Sequence, residues 1–330
     1  MDAWTGDIVR AVGVRTAPAH EAAAVEFVKD WARARPWAQV RLDLTGNVQV
    51  RPVREHKGNP IYLCAHLDHP GFVVEHLRGP AAELLWRGTV GGGIAPRTGV
   101  VTARGVPGVL GEVLDATPGS VRLAADFDGP LSVGEVVGFD VGPGRVEDAS
   151  VLGPACDDMA GVAVCLGVLE ALRESRDAPC LRVLLTRAEE IGMLGAIGAC
   201  RAAVLGECAR VLCVDAREAS AGGGIAVAPG GAKALERALL DRGAFLHHDA
   251  PIDRTEAGVF AAFGHEAAAV LFPVQGVHNI SADGVCAERV AIDDLAALRR
   301  VLVDSVCAAP RKTRRGEYSD HWDKWSSVLG

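Results

Sequence analysis

The sequence has no CxxC pair, no long apolar run and few aromatic residues. Aromatic residues make up 5% of the 330 residues, so Val, Ala and Leu must supply most of the core packing. No apolar run approaches the roughly 18 residues that span a bilayer. The first residues also lack the basic start and apolar centre of a secretory signal. We therefore expect neither a membrane-spanning segment nor a secretory signal.

The charge balance is acidic, and the one strongly basic run lies at residues 311–315. A formal net charge of -8 argues against nucleic acid as the main partner. Apolar residues make up 49% of the chain, which is typical of a globular protein. The length suits one large domain or two smaller ones.

Nine cysteines, an odd number, are scattered through apolar surroundings. This usage predicts reduced, buried thiols and a cytoplasmic location. Cys64, Cys156 and Cys213 each lie within two residues of a candidate metal ligand described below. We interpret them as packing residues, because enough harder ligands are available nearby.

The pattern of apolar residues divides the chain into three parts. Residues 1–70 and 152–309 alternate between apolar strands and helical patterns, including a hairpin around Gly46–Asn47 and a final helix over 288–303. Residues 71–151 are Gly-rich, with short Val-rich runs that predict a small β-barrel or sandwich serving as a lid or association surface. Residues 310–330 form a polar tail, to which the sequence assigns no role.

Two adjacent carboxylates, Glu189 and Glu190, follow the apolar run Leu181–Leu185. Neighbouring residues at a strand end point in opposite directions, so one carboxylate can bind a metal while the other handles protons. Two adjacent glutamates considered by themselves more often belong to a solvent-exposed acidic turn. The polar residues at the ends of other apolar runs make a functional site the better interpretation here.

Candidate ligands recur where apolar runs end. Because ligands bind beyond the carboxyl ends of strands in open α/β sheets, we expect these residues to meet. Asp68 lies two residues after His66, a spacing that lets its carboxylate orient an imidazole. For Asp158, a role as a helix cap is a sufficient explanation. The candidate set is His66, Asp68, Asp157, Glu189, Glu190, Asp215 and His278.

Two histidines and several carboxylates suit two borderline divalent metals, most simply zinc. A two-metal site needs a bridging carboxylate, for which the hypothesis selects Asp157. Glu189 is then free to act as the base that takes a proton from the attacking water. The remaining ligands are His66, Glu190, Asp215 and His278.

Five motifs resemble, in order and spacing, the dinuclear-metal aminopeptidases of the glutamyl and deblocking (TET-type) family of the zinc peptidase superfamily. They are HLDHPGF, CDDMAG, RAEEIGMLGA, VDAREA and VHNIS, and the resemblance covers nearly the whole chain except the tail. It implies a mixed central sheet flanked by helices, an inserted β-barrel, peptide substrates, two zinc or cobalt ions, a homo-oligomer and a cis Asp157–Asp158 peptide. Matching assigns the same five ligands, Glu189 as base and Asp68 as the residue that orients His66.

The insertions separate this family from a sister group of carboxypeptidases and deacylases that shares the ligands. There are 88 positions between Asp68 and Asp157, enough for an inserted barrel, but only 62 between Asp215 and His278, which is short for the sister group's lid. The chain departs from the family pattern at His69, Met159 and Glu256. The barrel segment around residues 126–131 also looks shortened.

Alternative functions remain open at this stage. The same scaffold suits an amidohydrolase or deacylase acting on N-acyl or other small amides. A third alternative is a metal-binding assembly protein that catalyses no reaction. The presence of Glu189 as a base beside the five ligands argues against it. A glycosidase using Glu189 and Glu190 is weaker still, because adjacent strand residues do not face each other across the roughly 5–9 Å that a sugar requires.

Overall fold

The computed structural model describes residues 2–54, 60–79, 81–88, 96–117, 120–175, 180–206, 209–219 and 223–308. The polar tail predicted over residues 310–330 lies outside these described ranges. Within them, no helix is both long and apolar enough to cross a membrane.

The helices are α1 Ala3–Val12, α2 Ala22–Arg33, α3 Cys156–Leu172, α4 Leu194–Arg201, α5 Lys233–Leu240, α6 Glu256–Ala262 and α7 Ile292–Ala308. The strands are β1 Ala38–Leu42, β2 Val48–Pro52, β3 Ile61–His66, β4 Gly71–Arg78, β5 Ala81–Arg87, β6 Gly99–Thr102, β7 Pro107–Thr117, β8 Ser120–Phe127, β9 Val136–Phe139, β10 Arg145–Glu147, β11 Ser150–Gly153, β12 Leu181–Thr186, β13 Arg210–Glu218, β14 Ala226–Ala228, β15 Phe245–Leu246, β16 Glu266–Val274, β17 Ile280–Ser281, β18 Gly284–Val285 and β19 Glu288–Ala291.

A mixed sheet with the strand order β1-β2-β12-β3-β13-β16-β14-β15 forms the centre of the molecule. The four middle strands, β12, β3, β13 and β16, run parallel to one another. Their carboxyl ends therefore lie at one edge of the sheet, where ligands bind in α/β folds. The predicted mixed α/β sheet flanked by helices is confirmed.

Both faces of the sheet are covered, so its central strands are apolar on both sides. Leu63 and Ala65 of β3 pack into the core with α1, α2, α3 and α7, whereas Tyr62 and Cys64 face the cluster that includes α4 and α6. This alternation follows the strand period of two. It explains why β3 is buried along its whole length.

The predicted small barrel is confirmed as a closed barrel with the strand order β4-β5-β8-β7-β6-β9. Its interior contains the aromatic residues Phe72, Trp86 and Phe139. Strands β10 and β11 follow the barrel in the chain but are not part of it. They pair with each other, and β11 also pairs with β19. The division of the chain into domains at residues 71 and 151 stays a prediction.

The predicted hairpin around Gly46–Asn47 is present as the antiparallel pair β1 and β2. The predicted helix over 288–303 is wrong at its start, because residues Glu288–Ala291 form β19 and the helix begins at Ile292. Tertiary pairing with β11 outweighs the local helical pattern over those four residues.

Candidate metal centre

The candidate ligands meet at the carboxyl edge of the parallel strands. β3 ends at His66 and β12 ends at Thr186, and these two residues are paired in the sheet register. Glu189 and Glu190 follow β12 in a loop, and Asp215 lies on β13. The structure therefore brings residues from separate elements to one place, as the strand-end pattern predicts.

Two groups of potential ligands share Asp157. One contains His66, Asp157 and Asp215, and the other contains Asp157, Glu190 and His278; within each group the donor atoms lie within 4.8 Å of one another. Asp157 Oδ1 is 3.2 Å from His66 Nε2, and Asp157 Oδ2 is 3.6 Å from His278 Nε2. The two oxygens of Asp157 thus face opposite groups, which is the arrangement of a bridging carboxylate.

The chemistry of these residues fits divalent cations. Asp157 Oδ1 is buried and, although His66 Nε2 lies 3.2 Å away, it accepts no hydrogen bond of acceptable geometry from the described residues. Carboxylates of Asp157, Glu189, Glu190 and Asp215 crowd around two imidazoles, and uncompensated buried carboxylates are costly. Divalent cations would satisfy Asp157 Oδ1 and balance the negative charge.

The same crowding shifts the ionisation of the site. Burial, together with the carboxylates of Asp215 and Glu190, raises the pKa of Glu189 to about 10. Burial opposes the charged form of His278, but the carboxylates of Glu190 and Asp157 raise its pKa to about 9. The protein alone therefore favours binding protons at this site. Cations would compete with the proton of His278, and their charge would lower the pKa of the neighbouring Glu189.

Asp68 supports both the imidazole and the glutamate loop. Its backbone oxygen lies 3.1 Å from His66 Nδ1, whereas its carboxylate Oδ1 is 3.7 Å from that nitrogen. The carboxylate accepts hydrogen bonds from the backbone N–H groups of Glu189, at 3.0 Å, and Glu190, at 3.1 Å. Asp68 therefore holds the two glutamates in place, a contact that the motif spacing did not predict.

The start of α3 differs from an ordinary capped helix. The Asp157–Asp158 peptide is cis, as the family resemblance implies. Contrary to the sequence prediction, Asp158 does not cap the helix, and its Oδ2 instead accepts the backbone N–H of His66 at 3.1 Å. The helix α3 is assigned from Cys156, but Asp157 and Asp158 have non-helical backbone angles.

Solved structures of aminopeptidases share this fold. A TET aminopeptidase from the marine sediment archaeon Thaumarchaeota archaeon SCGC AB-539-E09 is 15% identical, with a TM-score of 0.77 over 93% of this chain and 97% of that one. Aminopeptidase APDkam598 from the archaeon Desulfurococcus kamchatkensis is 19% identical, with a TM-score of 0.73 over 93% and 95%. The TET1 peptidase of Pyrococcus horikoshii is 16% identical, with a TM-score of 0.69 over 93% and 99%.

The sequence itself also points to this group. The family model described as M42 glutamyl aminopeptidase matches residues 127–226, a segment that includes Asp157, Glu189, Glu190 and Asp215. This segment of the chain is thus similar to the M42 glutamyl aminopeptidases. A search of curated proteins found no significant match.

The three positions at which the chain departs from the family pattern lie in or near the site. His69 is buried, with Nδ1 2.7 Å from the backbone oxygen of Asp157. Met159 is fully buried in the core. Glu256 is buried beside β12, where its Oε2 lies 2.8 Å from Thr186 Oγ1 and 3.3 Å from Cys64 Sγ.

Glu288 belongs to the site although the sequence patterns do not identify it. They predict that it starts a helix, yet it is fully buried and contacts the backbones of Asp157 and His278. The segment ERVA offers only a weak strand signal, because Val290 is its single β-branched residue and its polar and apolar residues do not alternate. The cysteines near the ligands pack as predicted: Cys64, Cys156 and Cys213 are buried free thiols.

Proposed function

We propose that the chain removes N-terminal residues from peptides by hydrolysis, with two divalent metal ions bound and Glu189 as general base. The observation that carries this proposal is the pair of ligand groups sharing Asp157, with Glu189 beside them. A carboxylate oxygen of Glu189 lies within 4.8 Å of ligand atoms of His66 and Glu190, but Glu189 belongs to neither group that contains Asp157. The family match favours peptides over the N-acyl amides of the deacylase alternative.

His66, Asp157 and Asp215 would hold one ion, and Asp157, Glu190 and His278 would hold the other. Such ions supply Lewis-acid activation of water and of a peptide carbonyl. Zinc suits this mixture of imidazole and carboxylate ligands best, and cobalt is a second candidate.

Glu189 would move the proton. Its carboxylate is largely buried, and its backbone is fixed by Asp68, so it is placed reproducibly at the edge of the site. It takes a proton from water as the water oxygen bonds to the scissile carbonyl carbon. It then gives that proton to the nitrogen as the C–N bond breaks, which releases the shortened peptide with a free amine.

We propose further that the chain works as a homo-oligomer in the cytoplasm, without nucleic acid or membrane as a partner. The Pyrococcus horikoshii relative can assemble into a tetrahedron or a large octahedral shell, which supports assembly here. Six described cysteines, at positions 64, 156, 165, 200, 213 and 286, are free thiols, which supports a reducing compartment.

The test combines metal analysis with a variant. Chain purified without chelator is expected to contain about two metal ions per chain and to hydrolyse aminoacyl amides with free amino termini. Chelation should abolish this activity, and zinc or cobalt should restore it. Glu189→Gln should lower kcat by at least about 100-fold, because the base is lost, while the metal content stays at the wild-type value.

Glu147→Gln, at an exposed position of β10, is the matched control and should leave both quantities unchanged. Full activity of Glu189→Gln would remove Glu189 from the mechanism. Metal without hydrolysis of free amino termini, but with hydrolysis of N-acylated substrates, would favour the deacylase alternative. Absence of metal under all loading conditions would contradict the proposed centre.

A further inference from the structure

Glu288 joins two metal-ligand segments that are distant in sequence. It is fully buried at the first position of β19 and is not one of the clustered ligand candidates. Its Oε2 accepts the backbone N–H of Asp157 at 2.9 Å, and its Oε1 accepts the backbone N–H of His278 at 2.7 Å. One carboxylate thus contacts the main chain of both residues.

Because each oxygen already faces a backbone donor, Glu288 acts on the site through the positions of other residues. Asp157 and His278 belong to the same ligand group, together with Glu190. The Glu288 side chain therefore bridges the start of α3 and the turn that bears His278. The other ligand group draws His66 and Asp215 from β3 and β13, which the sheet itself holds in register.

The turn that bears His278 needs such support. His278 has φ 61° and Asn279 has φ 62°, in the left-handed region that residues other than glycine adopt at an energetic cost. Residues held in this region persist only where surrounding contacts determine their conformation. The hydrogen bond from the His278 N–H to Glu288 is such a contact.

His69 spans the same two segments from another side. Its Nδ1 lies 2.7 Å from the backbone oxygen of Asp157, and its Nε2 lies 3.1 Å from the side-chain amide of Asn279. Its ring also packs edge-on against the ring of His278, with centroids 6.0 Å apart. Glu288 contacts the N–H of Asp157 and His69 contacts its C=O, so both backbone groups of this ligand are fixed.

We propose that Glu288, together with His69, is a positioning residue that holds Asp157 and His278 at the separation required for the ion bound by Asp157, Glu190 and His278. This inference rests on the proposed two-metal function. It predicts that Glu288 matters more for one ion than for the other. Binding of the ion held by His66, Asp157 and Asp215 should depend less on Glu288 than binding of the ion held by Asp157, Glu190 and His278. The two ions should therefore respond differently when Glu288 is changed.

Glu288→Gln tests this inference, because an amide offers one acceptor oxygen and turns its NH₂ group toward one of the two N–H groups. Metal-free protein is titrated with zinc by calorimetry against a competing chelator. Wild-type protein should bind two zinc ions. In Glu288→Gln, one zinc should bind about 10- to 100-fold more weakly, while the affinity of the other stays within a few-fold of wild type.

Glu236→Gln is the matched control. Glu236 is also buried, and its Oε1 accepts two backbone N–H groups, from Gly230 at 2.8 Å and Gly231 at 2.6 Å, in a segment with no proposed ligand. It should bind both zinc ions as the wild type does. If Glu288→Gln does not fold, His69→Asn provides the second variant, since the shorter side chain loses one of the two contacts, and it should show the same unequal weakening.

The outcomes separate the two proposals. A wild-type protein that binds two zinc ions, combined with a Glu288→Gln variant that binds both unchanged, overturns only the role of Glu288. Equal weakening of both ions in a folded Glu288→Gln or His69→Asn variant also overturns it, because the inference requires one ion to be affected more. A wild-type protein that binds no zinc overturns both this inference and the proposed function.

Discussion

At the scale of single residues, the buried carboxylates of the site have two roles. Some belong to the proposed metal ligands, and others accept backbone N–H groups of the residues at the site. Asp157 and Glu190 belong to the ligand groups. Asp68, Asp158 and Glu288 instead accept backbone N–H groups of proposed ligands or of Glu189. The supporting carboxylates keep the ligands in place without competing for metal, as supporting hydrogen bonds do in metal sites generally.

Asp68 provides a prediction at this scale. In Asp68→Asn, the amide keeps one acceptor oxygen, and its NH₂ group opposes the N–H of either Glu189 or Glu190. We expect kcat/KM to fall about 10- to 100-fold, because the glutamate loop loses one of its two anchors. Steady-state kinetics on an aminoacyl amide, with metal content measured in parallel, check this.

Asp294→Asn is the control for Asp68→Asn. Asp294 Oδ1 also accepts a backbone N–H, from Gly224 at 3.2 Å, in a segment without proposed ligands. This variant should retain wild-type kinetics. Unchanged kcat/KM in Asp68→Asn would show that the glutamate loop does not depend on this carboxylate.

At the scale of elements, the start of α3 is shaped by its contacts with neighbouring strands. Asp157 and Asp158 leave the helical conformation, and Asp158 turns back to the N–H of His66 on β3. This conformation of the Asp158 side chain requires free space next to its carboxylate. Gly161, one turn further along α3, provides that space, since a Cβ there would overlap Asp158 Oδ1 and lie 2.8 Å from its Cγ.

Gly161→Ala should therefore destabilise the protein. The added methyl group displaces Asp158 or shifts α3, and we expect the free energy of unfolding to fall by about 1–3 kcal/mol. Urea denaturation followed by circular dichroism measures the change. Gly99→Ala is the control, because its added Cβ meets only Asp140 Cβ at an ordinary 3.7 Å. Equal stability of the two variants would contradict the proposed overlap.

At the scale of the whole molecule, the buried acidic residues make stability depend on pH. Burial raises the pKa of Glu256 to about 7, compared with its ordinary value of 4.5. Between these two values the folded chain keeps a proton that the unfolded chain loses, so stability falls as pH rises through this window. Below pH 4.5 both states bind the proton, and the penalty vanishes.

Glu256→Gln removes this titration. In metal-free protein, its unfolding free energy relative to wild type should increase by about 2 kcal/mol between pH 5.5 and pH 8. The wild-type penalty grows over that window, whereas Gln does not titrate. Urea denaturation at both pH values measures the difference. Leu235→Ala, a buried substitution without a titratable group, should show the same destabilisation at both pH values. A pH-independent effect of Glu256→Gln would contradict the raised pKa.

The sequence by itself determined the class of fold and the candidate ligands. The apolar runs before His66 and before the Glu189–Glu190 pair lie at strand ends, whereas β13 continues past Asp215 to Glu218. Parallel strands place their carboxyl ends at one edge of the sheet. Those signals are local in sequence. The composition of residues 71–151 likewise predicted a barrel, because short alternating runs and frequent glycines are a local property of β-structure.

Only the tertiary structure decided which side chains support the ligands. Glu288 lies 131 residues from Asp157, and the two meet because β19 pairs with β11, next to the start of α3. Likewise, Asp68 and the N–H groups of Glu189 and Glu190 meet because β3 and β12 lie side by side in the sheet. Spacing along the chain contains no information on such contacts. Their geometry depends on strand pairing and packing between distant segments, which form only as the chain folds as a whole.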